Sequence, residues 1–105
     1  MSSEAKEHLM HNTVERNIRE FENAGYDDIM NQLYRDKVSK LLDDVNVGRY
    51  TNEDYIKAGK VDIGGFYDND RNFISVNEGS GFPAKFVEKH EGRHLIDYNT
   101  SMLDE

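Results

Sequence analysis

Residues 61–98 read VDIGGFYDNDRNFISVNEGSGFPAKFVEKHEGRHLIDY. Two short runs rich in β-branched and aromatic residues, 61–67 and 72–77, flank the turn formers Asp68-Asn69-Asp70-Arg71, which is the pattern of a β-hairpin. Gly64-Gly65 in the first run predicts a bulge or a close backbone approach. In the second, Phe73, Ser75 and Asn77 alternate with Ile74 and Val76, as in a half-buried strand. Glu78-Gly79-Ser80-Gly81-Phe82 reads as a loop. Pro83 suits the first turn of a helix, along which Val87, His90/Glu91, His94/Leu95, Tyr98 and Met102 fall on one side.

Upstream of the hairpin the periodicity is helical. From Ser3 to about Asn23 the apolar positions Ala5, Leu9, Val14, Ile18 and Phe21 recur at steps of three to five, and Gly25 can end that helix. Asp27 is placed to cap a second helix, whose apolar pairs Ile29/Met30, Leu33/Tyr34, Val38 and Leu41/Leu42 repeat at helical spacing. The run Asp43-Asp44-Val45-Asn46-Val47-Gly48 breaks the pattern, and Thr51 can cap a short helix through Ala58 that Gly59 closes. The expected fold is α+β, with three or four helices and one β-hairpin. It forms a single domain over residues 1–105, with a helical part over 1–60 and the hairpin and last helix over 61–105.

Composition narrows the function classes. A chain of 105 residues has room for one modest core, to whose stability a bound metal can add. Its net charge of −8 argues against general nucleic-acid binding and against anionic membrane surfaces, since both select clustered Lys and Arg. The sequence shows neither an apolar run near 18 residues nor a signal-like start, so the expectation is a protein that acts in the cytoplasm or as a delivered effector. It has no cysteine, so there is no thiol nucleophile and no Cys-based zinc site, and any metal must be held by His, Asp and Glu.

The last helix carries His90-Glu91-Gly92-Arg93-His94. Residues four apart on a helix lie about 40° from each other around its axis and one turn apart along it, so His90 and His94 can aim at one point. That supplies two of zinc's four tetrahedral positions. Glu91, about 100° round from His90, can reach a water at that point without taking a ligand position. This order of residues is why H-E-x-x-H on a helix reads as a metalloprotease signature, and chance would write it roughly 0.014 times in a chain of this composition. The bland alternative is a solvated, salt-bridged face made by Glu88, Lys89, Glu91 and Arg93, with the histidines at the rim of the core.

Taken together, Gly65-Phe66-Tyr67-Asp68, a turn, Phe73-Ile74-Ser75-Val76-Asn77, a brief loop and a helix with HEGRH resemble the core of the zincin metallopeptidases. The resemblance covers about residues 61–98. It implies a zincin-like core in which the active-site helix follows the hairpin. By the same resemblance His90 and His94 are ligands of Zn2+, Glu91 is the catalytic base, and Ile74, Ser75, Val76 and Asn77 form the edge strand that pairs with extended substrate. The run His94-Leu95-Ile96-Asp97 is also similar to bacterial toxin proteases in which an acidic residue follows the motif.

The third ligand departs from the family patterns. One zincin branch places a glycine and then a ligand three and six residues past the second histidine, where this chain has Asp97 and Thr100. Another takes a glutamate from a helix at least twenty residues downstream, whereas eleven residues follow His94 here. Asp97 is near the azimuth of the histidines but about 4.5 Å further along the axis, which suits a ligand or a partner for His94. Asp104 or Glu105, folding back, are further candidates. His8 and His11, with Glu4, Glu7 and Glu15 close by, read as solvated residues of an N-terminal turn, as a second metal site, or as donors of the missing ligand. Tyr67 and Tyr98 are candidate oxyanion donors, or half-buried packing.

Two functions are expected from these residues. The first is a zinc-dependent peptidase of the HExxH type, a toxin-like effector that uses metal-activated water and Glu91 on a peptide or protein substrate. The alternative is a small acidic binding or inhibitor protein of the phage type, with a zincin-like but incomplete site and a basic protein partner.

Overall fold

The N-terminal apolar stripe contains one irregular step, the five residues from Leu9 to Val14, and the backbone answers it there. A computed structural model of the chain describes residues 1–99. In it, helix α1 (Ser3–His8) runs through a π-helical turn (Leu9–Val14) into α2 (Glu15–Asn23). The wider π turn absorbs the extra residue, so Ala5, Leu9, Val14 and Ile18 all stay buried on one side, each no more than 1% exposed. Gly25, at φ 95°, takes the left-handed conformation after α2 that few residues other than glycine adopt easily.

Asp27 caps α3 (Asp28–Asp44) by accepting from the Met30 N–H at 2.9 Å. Its buried face is Asn31, Tyr34, Val38 and Leu42. Ile29 and Leu33, expected to face the core, are 81% and 45% exposed, because the helix is rotated so that Asn31 and Tyr34 point inward. Thr51 caps α4 (Asn52–Lys57) as the sequence predicts, Asp54 completes a capping box with it, and Gly59 follows at φ 76°.

The hairpin is present as β2 (Gly65–Asp68) and β3 (Phe73–Asn77), with β2 beginning four residues later than expected. The sheet has a third strand that the sequence reading treated as a break, β1 (Asn46–Tyr50). The strand order is β1-β3-β2. β1 runs parallel to β3, with Asn46 opposite Phe73, and β2 runs antiparallel to it, with Gly65 opposite Val76. The register puts Val47, Ile74, Val76, Gly65 and Tyr67 on one face, which the helices cover, and Gly48, Tyr50, Phe73, Ser75 and Phe66 on the other.

β3 is more deeply buried than its alternation suggested. Ser75 and Asn77, on the outer face, are each 2% exposed, because α4 closes over that end of the sheet. Asn77 is tied there through Nδ2 to Asn52 Oδ1 and to the Ile63 carbonyl, both at 3.1 Å. Gly65 confirms the expected close approach. A β-carbon there would lie 2.5 Å from Val87 Cγ1 and 2.6 Å from the Ser75 carbonyl oxygen.

Helix α5 (Ala84–Asn99) packs on β2, β3 and α1, and buries Val87, Glu88, Glu91, Gly92, Leu95 and Ile96. Glu88 accepts from the Ser2 N–H at 3.0 Å, which pins the start of the chain to α5. The architecture is α+β, with the core between the inner sheet face, α1, the π turn, α3 and α5. No helix among the described residues is long and apolar enough to cross a membrane. Met102, Asp104 and Glu105 lie outside the described residues.

Candidate metal and hydrolytic site on α5

The buried stripe of α5 decides where its motif points. Because Glu88, Glu91 and Gly92 share that stripe with Val87, Leu95 and Ile96, His90 and His94 stand one step off it and are exposed, as is Tyr98 at 61%. The histidines therefore do not share the core side with Val87 and Leu95, as the sequence reading had it. Their imidazoles do come together. The ring centroids are 5.0 Å apart and the planes cross at 83°. Two imidazoles on one tetrahedral zinc, with Zn–N bonds of about 2.0–2.1 Å, also have centroids roughly 5 Å apart, and the edge-to-face crossing is equally that of two neighbouring rings in contact without an ion.

Glu91 is 7% exposed and lines two grooves. The smaller, about 270 Å³, is bounded by Gly64, Gly65, Phe82, Phe86 and His90. The larger, about 650 Å³, is bounded by Phe66, Tyr67, Asn69, His94, Asp97 and Tyr98. Burial pushes the Glu91 carboxyl above its ordinary value, while the charges of His90 and His94 pull it back down. The arrangement is a buried carboxyl between two solvent-open grooves, with a histidine beside each.

The substrate-edge assignment of Ile74, Ser75, Val76 and Asn77 is corrected by the strand order. β3 is the central strand and its backbone is paired on both sides, so these four residues cannot accept another strand. The outer strand beside α5 is β2, and Gly65 and Phe66 border the grooves that Glu91 shares. In sequence the two strands look alike. What distinguishes them is β1, whose pairing with β3 was not foreseen.

Asp97 is exposed and lines the larger groove with His94. Among the described residues, no three His, Cys, Asp or Glu side chains gather in a group able to hold a metal ion, so neither Asp97, His8 nor His11 joins His90 and His94 in one. His8 and His11 are exposed on the N-terminal helix, where Asn12 Nδ2 donates to His8 Nδ1 at 3.2 Å. The Tyr67 hydroxyl donates to Asn72 Oδ1 at 2.9 Å, which leaves Tyr98 the freer of the two tyrosines at the groove.

Sequence reasoning missed Phe82 and Phe86. Their rings stack 5.6 Å apart, each more than half exposed, along the smaller groove. Two aromatics four apart around Pro83 were the available signal. No family model, curated protein or solved structure matches this chain.

Proposed function

We propose that this chain is a zinc-dependent, peptidase-like protein that hydrolyses peptide bonds in the grooves between β2 and α5. The observation that carries the reading is the solvent-open imidazole pair of His90 and His94 at 5.0 Å, with the buried Glu91 carboxyl bordering both grooves beside it. His90 and His94 would hold the metal. When bound, zinc makes a water acidic near neutral pH and polarises a carbonyl. Glu91 takes the proton from the attacking water and delivers it to the amine that leaves, and the proton affinity that burial gives it suits both duties.

The outer edge of β2 offers unpaired backbone groups to an extended peptide, which would add as a further strand. The groove beside it would then receive the substrate side chains. Asp97 lines the groove with His94 but joins no metal-holding group with the two histidines, which leaves Asp104 and Glu105, outside the described residues, as candidates for the third ligand. One observation favours the alternative, an acidic binding or inhibitor protein with an incomplete site: no third metal-binding side chain joins the two histidines among the described residues.

Cleavage of a quenched fluorescent peptide library by zinc-supplemented protein tests the reading. The wild type is expected to cleave, and Glu91→Gln to lose about 10²-fold or more of that rate, as removal of a general base does. Equal rates in the two proteins, or none in either, would favour the binding protein.

A further inference from the structure

We propose that the outer face of the sheet carries a second ligand site, separate from the α5 histidines, that takes a small planar aromatic anion. A cleft of about 550 Å³ lies between that face and α4, lined by Tyr50, Tyr55, Phe66, Phe73, Lys60 and Arg71 among others. Sites for small molecules are concave, mostly apolar and of about 300–1,000 Å³, with a few placed polar groups. Two aromatic pairs line this one. Tyr50 and Phe73 have centroids 6.4 Å apart, and Tyr55 and Phe66 have centroids 6.1 Å apart.

The rings are held in place rather than left loose. Tyr55 is 3% exposed and its hydroxyl is hydrogen-bonded to the Ser75 hydroxyl at the floor. On the other side Gly48 makes room, since a β-carbon there would lie 2.6 Å from Phe73 Cζ and 2.8 Å from Tyr50 Cε2. The walls are thus preorganised for a flat ring.

Charge selects the ligand's other half. The two carboxylates of the cleft are engaged locally: Asp54 Oδ2 accepts from the Thr51 N–H and Asp68 Oδ1 from the Asp70 N–H. The Lys60 ammonium sits 4.6 Å from the Phe66 centroid and has no carboxylate partner among the described residues. Arg71 is paired with Asp68 at 3.8 Å. Lys60 already occupies one face of the Phe66 ring, which a cationic ligand would seek. Asp54 and Asp68 line the cleft as well and Arg71 is paired with Asp68, so Lys60 is the cation that an anionic ligand would meet. A nucleoside monophosphate and an aromatic acid share this chemistry.

Isothermal titration of the full chain with adenosine 5′-monophosphate, phenyl phosphate, phenylacetate, adenosine and inorganic phosphate tests the site. Saturable binding of at least one aryl anion is expected, with adenosine and inorganic phosphate about tenfold weaker or more. Tighter binding of the nucleotide marks a nucleotide site, and tighter binding of the phenyl anions an aromatic-acid site. The exposed Lys60→Gln is expected to weaken the best probe about fivefold without changing the melting temperature, and Tyr50→Ala to weaken it as well. His90→Ala/His94→Ala is expected to bind like the wild type. The proposal is overturned if no aryl anion saturates, if adenosine matches its monophosphate, or if Lys60→Gln binds unchanged.

Discussion

Leu9 occupies the space that a β-carbon on Gly92 would need, and Met1 Cε lies 3.1 Å from that same point. The glycine inside HEGRH is therefore what lets the N-terminal helix close on α5 at the level of the two histidines. Gly92→Ala gains up to about 1 kcal/mol of helix propensity but forces Leu9, 1% exposed, out of a packed position, and overpacking of this kind costs about 1–3 kcal/mol. The clash should win by about 1 kcal/mol, lowering the melting temperature by about 4–8 °C. An unchanged or raised melting temperature would show that Leu9 has room to move.

Glu91 makes stability depend on pH. Burial raises its carboxyl in the folded chain, so between the unfolded and folded values the native state binds more protons than the unfolded one. Stability contributed by this group is present at low pH and is lost as pH rises through that window. Glu91→Gln should therefore be more stable than the wild type at neutral pH, with the difference shrinking as pH falls towards the ordinary carboxylate value. Urea unfolding of both proteins at several pH values checks this. A difference that does not vary with pH would mean that the carboxyl is not desolvated.

The helices and the hairpin were legible because their signals are local: caps at Asp27 and Thr51, turn formers between the strands, and apolar spacing. The π turn has a signal as well, the single step of five between Leu9 and Val14, although the spacing reads as one continuous helix. β1 was not legible. It is five residues long, contains Gly48, and pairs with a strand more than twenty residues away, so nothing local marks it. Missing it also made β3 look like an edge. On α3 and α5 the spacing gave a stripe but not its phase, because Asn31, Glu88, Glu91 and Gly92 hold buried positions that residue type assigns to the surface. The pairing of His90 with His94 followed from helical spacing alone. That Glu91 would be buried between two grooves did not.

Asn31 gives a stability test away from the site. It is 2% exposed, and neither its Oδ1 nor its Nδ2 finds a hydrogen-bond partner among the described residues. An unpaired buried polar group costs about 1–3 kcal/mol, and an apolar group of the same shape removes that cost. Asn31→Leu should raise unfolding stability by about 1 kcal/mol or more, read as a higher urea midpoint. A lower midpoint would mean that the amide is satisfied in solution.

Zinc content tests the central claim most directly. After equilibration with zinc and desalting, the wild type and Glu91→Gln should each retain about one zinc per chain, and His90→Ala/His94→Ala close to none. A wild type that holds no more zinc than the double variant would contradict a metal held by these two imidazoles.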